Sequence, residues 1–303
     1  MRVLFIFLDG VGLGVDDQSV NPFSRANMPH LENLLGGKKL LSSSAPMESD
    51  RATLLALDPN LGVAGLPQSA TGQATLLTGF NVPAMVGEHY GPKPNPPIAE
   101  IICEENLFMR ILQAGKSAAL INAYPSRYFH GLESGRRLLS AIPLAVTSAG
   151  LPLFNQDDFH RQEAMSADFT GEGWRTMLGD AEAPVVHPRQ AGHLLARLAG
   201  KYDFSMFEYW ASDYAGHSQE MTQAIELIEV FDQVLGGLVE SWIFDEGLIF
   251  ISSDHGNLED LSTRRHTSAQ VPGIIIGNHR RGFCRGLSDL TDVAPKILEA
   301  VIV

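Results

Sequence analysis

The stretch GLIFISSDHGNLED, residues 247–260, sets the reading of the whole chain. Gly247 followed by Leu248–Ile251 has the continuous apolar character of a strand buried on both faces. Asp254, His255, Gly256 and Asn257 follow at once. Successive side chains on a strand point to opposite faces, so a carboxylate and an imidazole converge only where the strand has ended and the backbone turns. Gly256 permits that turn because it has no Cβ. By itself an Asp-His pair after a strand is an ordinary polar turn. It acquires chemical meaning if other segments bring partners to the same place.

Similar apolar runs recur at Val3–Leu8, Ala118–Ile121, Phe204–Tyr209 and Ile274–Ile276. Helical patterns lie between them. NMPHLENLLGG starts at Asn27, and PIAEIICEENLFMRILQAG reads as a helix stopping at Gly115. SQEMTQAIELIEVFDQVLGGLVESWIF reads as one long helix with a potential break at Gly236 and Gly237, and LTDVAPKILEAVIV closes the chain. Strands alternating with helices predict an α/β fold: a mostly parallel sheet between two helical layers. Residues 87–188 differ. They are rich in Pro and Gly, open with GEHYGPKPNPP, close with GDAEAPVVHPRQ and hold many of the arginines. They are expected to form a small inserted cap on a discontinuous core of residues 1–86 and 189–303. A set of ordinary long connections is the simpler alternative.

At 303 residues, with 45% hydrophobic and 19% charged residues, the chain is globular and can bury a large core. A net charge of −13 repels phosphate backbones, which argues against nucleic acid as a partner. Cys103 and Cys284 are the only cysteines, so a disulfide framework is not expected and a reducing compartment is the default. The opening MRVLFIFLDG meets Asp9 too soon for a signal peptide. No run approaches the roughly 20 apolar residues of a membrane span. The expectation is a cytoplasmic protein with no membrane partner; the oligomeric state stays open.

Ligands of open α/β sheets sit beyond the carboxyl ends of the strands. Asp9 ends the first run and is followed by GVGLG. WASDYAGHS follows Tyr209 and places Asp213 and His217 four apart, on one face if helical. His266 lies in a loop before the last run. In LPQSATGQATLLTG, residues 66–79, Ser69 stands where a helix begins, with Thr71 as a competing hydroxyl. A serine there commonly caps the helix. As a nucleophile it would meet free N–H groups and the positive end of the helix dipole. Each residue is unremarkable singly. Together Asp9, Ser69, Asp213, His217, Asp254, His255 and His266 offer oxygen and nitrogen donors without sulfur. Manganese or zinc suits such a set, and magnesium or iron fits the same rule. Seven donors are too many for one ion and suit two divalent ions about 3.5–4 Å apart.

With these pieces in view, the sequence resembles the alkaline phosphatase superfamily of metalloenzymes, nearest its branch containing cofactor-independent phosphoglycerate mutase and phosphopentomutase. FLDGVG, SATGQATLLTG, DYAGHS, SDHGN and RHTSAQVP carry the resemblance, in order, over residues 1–80 and about 200–303. It implies an alkaline-phosphatase-like α/β/α core. It implies one metal held by Asp9, Ser69, Asp254 and His255, and another by Asp213, His217 and His266. Ser69, ten residues before Gly79, would be the nucleophile that becomes phosphorylated. The implied activity is two-metal phosphoryl transfer on a small phosphorylated metabolite through a phosphoserine, as a phosphatase or a phosphomutase. Alternatives are a sulfate ester or phosphodiester hydrolase of the same superfamily, although SATGQ lacks the Pro and Arg of the sulfatase motif, and a catalytically silent metal-binding regulator. Three features depart from the pattern: Gln68 where several relatives carry Asp or Asn, Gln73 where the two mutases carry His, and a short middle insertion. Arg127, Arg136, Arg137, Arg264 and Arg265 are candidate contacts to a substrate anion, and His89 and His130 are further candidates. Asn257 is expected to orient a metal ligand, with Thr71 in a similar supporting place.

Overall fold

The computed structural model describes residues 1–302. In chain order its elements are β1 (Arg2–Leu8), α1 (Pro29–Leu34), β2 (Met47–Glu48), β3 (Ala52–Leu57), α2 (Ser69–Thr78), α3 (Val82–Val86), α4 (Pro96–Glu104), α5 (Leu107–Gln113), β4 (Ala118–Leu120), α6 (Ser126–Glu133) and α7 (Ala141–Ser148). There follow α8 (Gln156–His160), α9 (Glu172–Thr176), α10 (Pro188–Ala199), β5 (Phe204–Tyr209), α11 (Ala211–Ser218), α12 (Met221–Ser241), β6 (Gly247–Ser252), β7 (Val271–Ile276), α13 (Arg280–Phe283) and α14 (Val293–Ile302).

The strands form one seven-stranded sheet in the order β2-β3-β7-β6-β1-β5-β4. Strands β6, β1, β5 and β4 are parallel neighbours. The other half is antiparallel: β7 runs against both β6 and β3, and β2 turns back on β3. The sheet is therefore mixed, and the expectation of a mostly parallel one holds for its centre and the β4 edge. Strands β2 and β3 did not stand out in the sequence.

The two faces of β1 build the two helical layers. Leu4, Ile6 and Leu8 pack in one apolar layer with Leu31 of α1, Leu195 of α10 and Phe231 of α12. Val3, Phe5 and Phe7 pack in the other with Leu77 of α2, Ile98 of α4, Phe108 of α5 and Ile297 of α14. This is the three-layer α/β/α arrangement, and it explains why β1 reads as an unbroken apolar run. Each such side chain contributes about 1.5–3 kcal/mol by leaving water.

Two helices differ from expectation. The segment up to Gly115 forms two helices, because Glu105 is extended and Asn106 caps α5 by accepting the Met109 amide at 3.1 Å. Helix α12 runs unbroken through Gly236 and Gly237. Those glycines serve close packing: a Cβ on Gly237 would lie 2.0 Å from the Arg189 carbonyl, and one on Gly192 2.0 Å from that of Val234.

Residues 87–188, expected as a cap, share the body of the fold. Strand β4 forms the sheet edge, and Ile98, Phe108, Ile142 and Val146 lie in the second apolar layer. A separate small cluster is confined to Phe159, Ala164, Trp174 and Ala183 with Ala123. Proline and glycine richness in this stretch marks short connections between core helices.

Candidate metal centre

Helix α2 begins at Ser69. Its N-cap is Gln68, extended at φ −135° and ψ 148°, and no side chain caps it. The Ser69 hydroxyl is thus free of the capping role. It lies 3.0 Å from His255 Nε2. Thr71, the competing hydroxyl, is spent on the backbone: it donates to the Gln68 carbonyl at 3.1 Å and accepts the Tyr90 amide at 3.1 Å.

Asp9 follows the last residue of β1. Gly10 then turns at φ +67°, and a Cβ there would lie 2.5 Å from Asp213 Oδ1, so the residue after Asp9 must be small for the two acids to meet. Asp254 follows β6, and a Cβ on Gly72 of α2 would lie 2.9 Å from its Cβ. Asp9 Oδ1 and Asp254 Oδ2 each lie 3.5 Å from His255 Nε2. Asp213 and His217 share one face of α11, with Oδ2 and Nε2 3.3 Å apart. His266 Nε2 lies 3.7 Å from Asp213 Oδ1, and its ring stacks on that of His255 with centroids 3.7 Å apart. The structure therefore gathers all seven expected donors around one opening at the carboxyl ends of β1, β5 and β6.

Two imidazoles are aimed by carbonyls. His217 Nδ1 lies 2.7 Å from the Arg264 carbonyl, and His266 Nδ1 2.9 Å from that of Pro67. A carbonyl can only accept, so Nδ1 carries the proton and Nε2 presents its lone pair to the opening. Asn257 donates to Asp213 Oδ1 at 2.6 Å and to its carbonyl at 3.1 Å, the geometry of a residue that orients Asp213.

Residues 190–303 match the metalloenzyme superfamily model. A 2,3-bisphosphoglycerate-independent phosphoglycerate mutase from Desulforudis audaxviator is 35% identical over 122 residues, 38% of this chain and 24% of that protein. One from Moorella thermoacetica is 27% identical over 124 residues, 39% of this chain and again 24% of the relative. The chain thus spans about a quarter of the length of these relatives. Among solved structures, an alkaline phosphatase from the Antarctic bacterium TAB5 superposes with a TM-score of 0.55 at 13% identity, covering 99% of this chain and 97% of the other. A Leishmania mexicana phosphoglycerate mutase gives 0.51 at 12% identity, covering 99% and 95%. Over residues 190–303 the chain is thus similar to the metalloenzyme superfamily, it is similar in part to phosphoglycerate mutases, and its fold is that of alkaline phosphatases.

Similarity to a metalloenzyme superfamily suggests divalent metal, and the residues fit it. Donor atoms of Asp213, His217 and His266 lie within 4.8 Å of one another, and so do those of Asp9, Asp213 and His255. Asp213 belongs to both groups, whereas the resemblance assigned it to one metal. Among the described residues, no Lys or Arg forms an ion pair with Asp9, Asp213 or Asp254. Asp9 Oδ1 is buried without a hydrogen-bond partner. Burial, then Asp254 and Asp213, hold the Asp9 carboxyl well above its ordinary range. Burial and Asp213 push Asp254 up to about 8. Burial holds His255 well below its ordinary value, with His266 adding to the effect. Packed carboxylates facing neutral imidazoles are unfavourable alone and favourable around cations.

Several supporting residues were not singled out by sequence reasoning. Gln73, noted only as a departure, lies one helical turn beyond Ser69 and donates to Asp9 Oδ2 at 3.4 Å and Asp254 Oδ2 at 3.3 Å. Glu259 is buried and accepts the amides of Gly12 at 2.9 Å and Asn257 at 2.8 Å, tying the loops after β1 and β6 together. Ser253 accepts the Val11 amide at 2.9 Å, and Ser212 donates to the Asp9 carbonyl at 2.6 Å. The one-turn offset from Ser69 was the available signal for Gln73. The amide donors that Glu259 serves come from both ends of the chain and left no such signal.

The arginine candidates do not converge. Arg127, Arg136 and Arg265 are exposed, and Arg264 is exposed and donates to Gln219 at 3.0 Å. Arg137 lies over the Tyr128 ring. His130 is exposed on α6, and His89 Nε2 sits 3.2 Å from the Asn60 carbonyl.

Proposed function

We propose that the chain is a two-metal phosphoryl-transfer enzyme that acts on a small phosphomonoester, with Ser69 as the phosphoryl acceptor. The observation that carries the reading is a hydroxyl in the first turn of α2 that caps nothing, 3.0 Å from His255 and beside the two buried carboxylates of Asp9 and Asp254. Asp9, Asp254, His255 and Ser69 would hold one divalent ion, and Asp213, His217 and His266 the other. When bound, such ions offset the carboxylate charge, polarise phosphoryl oxygens and lower the pKa of the serine hydroxyl.

The chain's own residues supply the rest. Helix α2 presents its first-turn amides beside Ser69, where the negative charge of a phosphoryl group is favoured. Ser69 Oγ attacks phosphorus, the P–O bond to the substrate alcohol breaks, and the alcohol leaves with a proton. Gln73 holds the Asp9 and Asp254 carboxylates in place by donating to both. Asn257 does the same for Asp213. Passing the phosphoryl group from Ser69 to water completes a phosphatase cycle; passing it to another hydroxyl of the same substrate completes a mutase cycle.

The test is a screen of p-nitrophenyl phosphate, sugar phosphates and phosphoglycerates with manganese or zinc, reading free phosphate against isomerised product. Mass spectrometry should find phosphate on Ser69 after incubation. Ser69→Ala should lose that label and cut turnover by about 10³-fold or more. Turnover within a few-fold of wild type in that variant rules out Ser69 as acceptor. Bound metal without turnover or phosphoserine on any of these esters favours a metal-binding regulator instead.

A further inference from the structure

The glycine-rich run after β1, GVGLG at residues 10–14, has the composition of a loop that cradles a phosphate, yet its amides are already taken. The Gly10 amide donates to Asp254 Oδ1 at 3.4 Å and the Val11 amide to Ser253 Oγ at 2.9 Å. The Gly12 amide donates to Glu259 Oε2 at 2.9 Å and the Leu13 amide to the Gln270 carbonyl at 2.7 Å. All four acceptors lie between the end of β6 and the start of β7. The run is therefore shaped to receive that connection, and Glu259 is the anion it cradles.

Glu259 is buried, and both of its oxygens are occupied. Oε2 accepts the amides of Gly12 and Asn257, and Oε1 accepts the Thr267 hydroxyl. Two glycines make the room: a Cβ on Gly12 would lie 2.4 Å from the Glu259 carboxyl carbon, and one on Gly256 2.3 Å from Oε1. Each of the three donors sits beside candidate metal ligands. Gly12 closes the turn that starts at Asp9. Asn257 follows Asp254 and His255 and itself donates to Asp213 Oδ1. Thr267 follows His266. One short side chain thus fixes Asp9, Asp254 and His255, expected on one ion, together with Asp213 and His266, expected on the other. The three donors are neutral and leave Glu259 no oxygen for a metal, so what it contributes is position.

We propose that Glu259 is a positioning residue shared by the two metal positions, so that one buried carboxylate sets the affinity of both; the inference rests on the two-metal part of the reading above. Losing a ligand empties one position, whereas losing Glu259 loosens both. The test is metal uptake by the full chain, stripped with a chelator and equilibrated with manganese over a range of free concentrations, with ions per chain counted by elemental analysis. Wild type should take up two. Glu259→Ala should raise the free manganese needed at both positions by about 10–100-fold. Thr267→Val keeps the shape and cuts only the link to His266, so it should raise the requirement at one position. Glu259→Gln separates position from charge. Its carbonyl oxygen can accept both amides while its NH2 group donates to the Thr267 hydroxyl, which can also accept. Its uptake should therefore stay within about threefold of wild type. Uptake by Glu259→Gln as poor as that of Glu259→Ala, or an Ala variant that loses one ion or neither, overturns the inference. If the Ala variant does not fold, the other two decide: impaired uptake in Glu259→Gln, or unchanged uptake in Thr267→Val, overturns it. A wild type that binds neither manganese nor zinc removes the two-metal reading and the inference with it. Two bound ions without turnover or phosphoserine on any ester remove the phosphoryl-transfer reading alone, and the uptake series still decides the role of Glu259.

Discussion

The two ends of the same strands treat carboxylates in opposite ways. At the amino ends, Arg2 pairs with Glu246 across β1 and β6. Asp203, just before β5, takes the Ser117 amide and hydroxyl at 2.8 Å each, and these hydrogen bonds hold its carboxyl below the ordinary range. At the carboxyl ends, Asp9 and Asp254 are buried among other acids, without a cation, and are held above that range. One end satisfies its own charges and the other does not. Charges left unsatisfied in a dry, crowded place cost stability unless something else neutralises them. The difference therefore separates residues that serve the fold from residues that await a ligand.

The strongest way to break this comparison is Asp9→Asn, which keeps the shape and removes one like charge. In a chelator the variant should melt above wild type. Manganese or zinc should then raise the wild-type melting temperature by several degrees and the variant's by much less. Turnover should fall by about 10²-fold or more. The pH dependence has a definite sign. A carboxyl whose folded pKa is raised gives its relative stability below its ordinary pKa and loses it as pH climbs through the folded value. With Asp254 near 8 against an ordinary 3.8, metal-free wild type should lose stability steadily between about pH 5 and pH 8. Asp9→Asn should flatten that slope. A metal-free melting curve that is level across this range, or an Asn variant less stable than wild type in chelator, contradicts the reading of the cluster as uncompensated charge.

An intermediate case sharpens the contrast, because burial alone does not make a carboxylate a metal ligand. Asp232 on α12 is fully buried yet accepts the amides of Leu31 at 2.7 Å and His30 at 3.2 Å, at the start of α1. Helix α1 has no side-chain cap of its own, so Asp232 supplies it from another helix. Asp232→Ala should cost about 1–3 kcal/mol, measured by denaturant unfolding, because two amides lose their acceptor. Metal stoichiometry and turnover at temperatures well below melting should stay at wild-type values. Loss of metal in this variant would show that the division between the two kinds of acid is drawn in the wrong place.

What the sequence made legible follows the same line. Strands β1, β5 and β6 are buried on both faces, so their apolar runs had no alternative reading, and Asp9, Asp213 and Asp254 stand just beyond their ends. His217 was legible through its four-residue offset from Asp213 on α11. Strand β3 was less so: its six residues pair antiparallel with β7 in a half of the sheet that alternation of strands and helices does not foretell. The break between α4 and α5 rests on one Asn cap inside a continuous apolar pattern. Glu259 was out of reach because its value lies in amides 2 and 247 positions away.

The smallest expected effect lies at the amino end, and it is the control on everything above. Asp203 ties the start of β5 to Ser117 ahead of β4, and the Ser117 hydroxyl also accepts the Asp203 amide at 3.0 Å. These bonds are partly exposed, and water can replace most of what they supply, so Asp203→Ala should cost no more than about 1 kcal/mol near neutral pH. Here the sign is reversed. A carboxyl with a lowered folded pKa stabilises above its ordinary pKa and stops doing so as pH falls through the folded value. The difference between variant and wild type should therefore shrink below about pH 4, in acid, whereas the Asp9 effect grows toward alkaline pH. Denaturant titrations at two pH values read both trends in the same protein. If Asp203→Ala instead alters metal uptake or turnover, the amino ends of the strands are coupled to the site, and the two ends cannot be treated as independent.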